Sequence, residues 1–145
     1  MKVIKMLILS EKQVEKIKEY MKNQNEVVAL YLYGSYGTKY QTPLSDVDLA
    51  FLPVNQYGVD VYKELEFASE LQHIGENENI NLVNLLKVPV TLQMNILKNG
   101  QLLFCKDKIS LADFKEFVIL SYCDFAPDLN EFYKEYDKGM QEELL

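Results

Sequence analysis

At 145 residues, with 48% apolar and 26% charged residues, the chain has the size and composition of one globular domain rather than of a disordered, fibrous or low-complexity protein. Fifteen Lys and Arg against twenty-two Asp and Glu leave a net charge of −7, which argues against direct nucleic-acid binding, because such binding rests on neutralising phosphates. The two cysteines, Cys105 and Cys123, lack metal-ligand spacing and His73 has no companion histidine, so no zinc site is expected.

Residues 1–10 are apolar but interrupted by Lys2 and Lys5, too short for a signal peptide or a membrane span, and a cytoplasmic protein without membrane contact is expected. Ser10-Glu11-Lys12-Gln13 reads as a capping box, in which serine and glutamine satisfy each other's backbone donors at a helix start. The predicted helix runs to about Asn23, with Val14, Ile17, Tyr20 and Met21 on its core face. Val27 to Tyr33 is a continuous apolar run rich in β-branched and aromatic residues, read as a buried central strand. After a Gly34-Ser35 turn, a short helix is predicted to about Tyr40, and Thr42-Pro43-Leu44-Ser45 returns the chain to extended form. From Asp46 to Leu52 the residues alternate, so Asp46, Asp48 and Ala50 share one face of a strand and Val47, Leu49 and Phe51 the other.

A loop over 53–58 precedes a predicted helix from Val59 to about Ile74, with Val61, Leu65, Ala68, Leu71 and Ile74 as its apolar face. The polar stretch 76–79 leads into a third strand from Ile80 to Leu86, on which Asn81 and Asn84 face opposite sides. Pro89 suits the first turn of a short helix through Leu97, closed by Asn99-Gly100 as a C-terminal stop. Gln101 to Cys105 reads as a final short strand, and Ser110 as the start of another helix with Leu111, Phe114, Val118 and Tyr122 on one side. Pro127 interrupts or restarts that helix, after which Leu129, Phe132, Tyr133, Tyr136 and Met140 form an aromatic-rich stripe. No repeat or linker divides the sequence, so a single domain over 1–145 is expected, with a helical segment from about 110.

Two carboxylates two apart on a strand can offer hard oxygen ligands to a divalent cation, and Mg²⁺ suits a site that keeps waters and substrate phosphates. Taken alone, Asp46-Val47-Asp48 is more often a feature of an exposed edge or turn. Beside it in sequence stands Gly34-Ser35, where a missing Cβ lets a phosphate approach and the serine hydroxyl adds a donor; the plainer reading is a tight turn capped by serine.

Gly34-Ser35, ten intervening residues and then Asp46-Val47-Asp48 resemble the signature of the polymerase-β-like nucleotidyltransferases, and the small size resembles the minimal nucleotidyltransferases (MNT). The likeness extends to a Leu-Tyr-Gly-Ser turn, a Ser-Asp-x-Asp-Leu strand, a later Leu-Val-x-Leu strand and a short helix ending at Asn99-Gly100. It implies an α/β (α+β) fold with a mixed sheet flanked by helices, and Mg²⁺-dependent transfer of a nucleoside monophosphate from a triphosphate such as ATP. It further implies pairing with a HEPN-type toxin protein, the nucleotidyltransferase being the antitoxin that adenylylates its partner. Carried over, Gly34 and Ser35 hold the triphosphate, and Asp46 and Asp48 bind metal ions and carry catalysis. Lys39 either contacts a phosphate or is a solvated lysine.

One departure stands out. Where the family places a third carboxylate, this sequence has Asn81, which brings no negative charge and cannot accept a proton as a carboxylate would. Loss of that base is worth roughly 10² to 10⁴ in rate. Glu78 nearby either substitutes or is simply solvated, and Tyr36-Gly37-Thr38-Lys39 lacks the arginine that many relatives carry there. The alternative to an AMP-transferring antitoxin is therefore a catalytically weakened, nucleotide-binding antitoxin that acts by complex formation, through the acidic surface and the aromatic stripe. For most of its residues that stripe better suits packing on the domain's own sheet. Transfer to a small molecule such as an aminoglycoside is a third reading, disfavoured by the little room left for an acceptor-binding domain.

Overall fold

Four helices and four strands follow one another along residues 9–34 and 46–123, the part of the chain described by the computed structural model. In chain order they are α1 (Glu11–Lys22), β1 (Val27–Tyr33), β2 (Val47–Pro53), α2 (Val61–Gly75), β3 (Ile80–Asn84), α3 (Val90–Asn99), β4 (Gln101–Cys105) and α4 (Lys108–Cys123). The strands form one mixed sheet in the order β3-β2-β1-β4. β1 is antiparallel to both of its neighbours, while β2 and β3 run parallel, joined by the α2 crossover.

The continuous apolar run of β1 is explained by its place inside the sheet: Val27 to Leu32 are all buried, with helices over both faces. On one face Leu30, Leu32, Leu49 and Phe51 pack with Ile17 and Met21 of α1 and Phe67 and Leu71 of α2. On the other, Ala29, Tyr31, Ala50 and Leu52 pack with Met94 and Leu97 of α3 and Leu111, Phe114 and Val118 of α4. This is the expected mixed sheet flanked by helices.

Local chemistry sets the boundaries. At α1 the capping box forms as read: the Gln13 amide donates to Ser10 Oγ at 3.1 Å and the Ser10 amide to Gln13 Oε1 at 2.9 Å. The far end of α1 is tied to the sheet by Lys106, whose Nζ donates to the carbonyls of Lys22 and Gln24 at 2.9 and 2.7 Å. Partial burial pushes the Lys106 ammonium below its ordinary range, against a pull upward from Glu26.

Several expectations are corrected. α2 starts at Val61 rather than Val59, because Asp60 Oδ1 accepts from the Lys63 amide at 2.8 Å and caps the helix there. Its inner face is Phe67, Leu71 and Gly75, whereas Val61 and Leu65 are 59% and 62% exposed. Phe67 decides this rotation: its ring meets those of Phe51 and Tyr20 edge-on at 5.7 and 6.3 Å. β3 stops at Asn84 instead of Leu86, since Asn84 Oδ1 turns the chain by accepting from the Leu86 amide at 2.9 Å.

α4 begins at Lys108, before Ser110, because Asp107 accepts from the amides of Ser110 and Ile109 and from the Ser110 hydroxyl. Those bonds, led by the Ser110 amide, hold the Asp107 carboxyl below the usual carboxylate range. Pro89 sits at the N-cap of α3, one place before its first turn. The short helix to Tyr40, the extended 42–45 stretch, the Pro127 break and the aromatic stripe lie outside the described residues. Among the described residues no helix is long and apolar enough to cross a membrane.

Candidate functional site

Across three neighbouring strands the register sets Tyr33 opposite Asp48, and Asp48 opposite Asn81. Alternation along β2 gives Asp48 the same side as Ala50, so the row lies on the sheet face covered further along by α3 and α4. Asp46 is exposed at the residue before β2, where continued alternation would give it that side. The entry of β2 is held against β3 by the Val47 amide, which donates to the Asn79 carbonyl at 3.0 Å.

Asp48 is fixed from two directions. Asn81 Nδ2 donates to Asp48 Oδ1 at 3.2 Å. On the opposite side Gly34, at the end of β1, has φ +80°, and a Cβ there would lie 2.6 Å from Asp48 Oδ2. Glycine at 34 is thus required twice, for a left-handed backbone and for the approach of the carboxylate. The half-buried Tyr33 hydroxyl is pushed above its ordinary pKa, first by burial and then by the negative charge of Asp48.

Of the residues singled out in the sequence, Gly34, Asp48 and Asn81 are brought together and Asp46 borders them. Ser35 and Lys39 lie outside the described residues. Glu78 is exposed and lines a groove with Lys16, His73 and Glu76, to which neither Asp48 nor Asn81 contributes. Asn84 faces away from Asn81 and is buried, its amide oxygen spent on the turn after β3. Tyr33 was not foreseen at the site; its place directly before Gly34 was visible, but its pairing with Asp48 depends on register.

The donor set suits a hard divalent cation. Asp46 and Asp48 offer carboxylate oxygens, and the missing Cβ of Gly34 lets Asp48 Oδ2 lie close to the end of β1. Among the described residues no group of three or more His, Cys, Asp or Glu could hold a metal by itself. A cation here would need water or a ligand's oxygens to complete its shell.

The family model described as "Polymerase beta, Nucleotidyltransferase" matches residues 15–109. No curated protein matches the sequence significantly. Among solved structures, a chain of a toxin–antitoxin crystal structure with AMP-PNP is similar at 23% identity and a TM-score of 0.65, covering 91% of this chain and 99% of that one. A chain of the MntA–HepT toxin–antitoxin structure is similar at 18% identity and a TM-score of 0.58, covering 94% of this chain and 100% of that one. A third likeness is to the complex of a tri-AMPylated Shewanella oneidensis HEPN toxin with its MNT antitoxin, at 19% identity and a TM-score of 0.55, covering 92% and 99%. At such identities the likeness is one of fold. The family match, which runs from α1 to the start of α4 over more than half of the chain, is what assigns it: the protein belongs to the polymerase beta nucleotidyltransferase family.

Proposed function

We propose that the protein is an antitoxin-type nucleotidyltransferase that moves AMP from ATP onto a HEPN-type toxin partner in the cytoplasm. The observation that carries this reading is Asp48 held between Gly34 and Asn81, two residues after Asp46 in sequence, in a chain of this family. Further support comes from similar folds seen with AMP-PNP and with a tri-AMPylated HEPN toxin.

In this reading Gly34 and Ser35 would receive the triphosphate, and Asp46 and Asp48 would hold Mg²⁺. When bound, the cation supplies Lewis-acid stabilisation of charge developing on the phosphate oxygens. A hydroxyl oxygen of the partner attacks the α-phosphorus, the bond to the β-phosphate bridging oxygen breaks, and pyrophosphate leaves. Gly34 and the two carboxylates act mainly by orienting these groups. Asn81 cannot take the hydroxyl proton, which passes to water instead. Turnover is accordingly lower by roughly 10² to 10⁴ than with a carboxylate base.

Incubating the protein and its genomic neighbour with labelled ATP and Mg²⁺ tests the proposal, with label expected on the neighbour. Absence of label on a neighbour that an active relative can modify would overturn it. The bond from Asn81 to Asp48 favours a second reading, in which the protein binds nucleotide but neutralises its partner by complex formation alone. Asp46→Asn separates the two. Neutralisation lost with the complex intact excludes contact alone, and neutralisation retained favours it.

A further inference from the structure

Asn81 stands directly opposite Asp48 on the parallel neighbour strand, and its amide makes a hydrogen bond with that carboxylate. A third carboxylate at this position would set two negative charges side by side, an arrangement that is unfavourable across strands unless cations lie between them. The amide reverses the sign of the contact. Its N–H occupies Asp48 Oδ1, while Oδ2 faces the space left by the missing Cβ of Gly34.

Ligand count points the same way. Sites with two cations hold them about 3.5–4 Å apart and need carboxylates that serve both. Among the described residues no third acidic group joins the pair, and Asp48 has one oxygen already engaged.

From this we infer that Asn81 is a positioning residue which holds Asp48 for a single divalent cation, entering with the triphosphate, and thereby removes a second cation site. The inference rests on the nucleotide-binding reading above. It makes Asn81 a built part of a one-cation site, with its own donor role, rather than a carboxylate merely lost.

The test is equilibrium dialysis of the full chain against Mn²⁺ and the non-hydrolysable analogue AMP-PNP, with manganese and nucleotide both counted per chain. One Mn²⁺ and one AMP-PNP are expected for the native protein, and two Mn²⁺ with one AMP-PNP for Asn81→Asp. Asn81→Ala is expected to keep one Mn²⁺ but bind it about two- to tenfold more weakly, the equivalent of one ordinary hydrogen bond. Because Asn81 is exposed, these variants leave the core untouched. Two Mn²⁺ on the native chain, one on Asn81→Asp, or an unchanged affinity in Asn81→Ala would each overturn the inference while leaving the nucleotide-binding reading standing. A native chain that retains no AMP-PNP overturns that reading, and the inference with it.

Discussion

Gly34 and Asp48 approach more closely than any side chain at position 34 would allow, with only 2.6 Å between Asp48 Oδ2 and the place a Cβ would take. The backbone of Gly34, at φ +80°, adds a second penalty for any other residue. Gly34→Ala is expected to destabilise the fold by about 1–2 kcal/mol, the usual cost of a left-handed residue with a Cβ. It is also expected to displace the Asp48 carboxylate and weaken binding of Mn²⁺ with AMP-PNP. Urea unfolding and dialysis read the two effects separately. A variant with native stability would mean that the left-handed turn is not kept in solution.

Tyr33 reports on the same carboxylate from the other side. Its pKa is raised above 10.0, burial being the larger cause and Asp48 the smaller. A raised folded value means that the folded state holds this proton more tightly than the unfolded chain does. The contribution to stability is therefore complete below the unfolded value and is lost as pH rises through the folded one. Asp48→Asn should lower the Tyr33 midpoint, though not to the ordinary value, because burial remains. Following the Tyr33 ring resonances by NMR from pH 8 to 12 checks this, and a midpoint indifferent to the substitution would show that the Asp48 charge does not reach the ring.

What was legible in the sequence follows from what is local. The period of two sets Asp48 and Ala50 on one side of β2 and Val47, Leu49 and Phe51 on the other without any knowledge of neighbours, and the Ser10–Gln13 cap is written in four consecutive residues. The pairing of Asn81 with Asp48 joins residues 33 apart, and no local rule gives the register that makes them partners. The rotation of α2 was hidden for a related reason. Val61, Leu65, Phe67 and Leu71 offer overlapping apolar stripes, and only the rings of Phe51 and Tyr20, on two other elements, select the one that is buried.

That selection has a measurable consequence. Phe67 is fully buried and Leu65 is 62% exposed, although they stand two residues apart on one helix. Phe67→Ala should cost about 3–5 kcal/mol, since the cavity opens between three elements that cannot all relax into it. Leu65→Ala should lie within about 0.5 kcal/mol of the native protein. Comparable losses from the two substitutions, read from urea midpoints at unchanged slope, would mean that α2 is rotated from the arrangement described.

Gly100 ends α3 as the sequence suggests, but its φ of −74° is open to any residue. Its requirement is spatial. A Cβ at 100 would lie 2.5 Å from the Ile96 carbonyl oxygen and 3.3 Å from that of Leu32, and backbone atoms cannot rotate away as a side chain can. Leu32 pairs with Gln101 on β4 and directly precedes Tyr33, so relief of the clash must shift β4 against β1 next to the candidate site. Gly100→Ala should therefore cost about 1–3 kcal/mol by overpacking, and should move the amide resonances of Tyr33 and Asp48. Gly58→Ala serves as the control, because a Cβ there meets nothing closer than 3.5 Å. If Gly100→Ala were as harmless as that control, glycine would be serving there only as a convenient helix end.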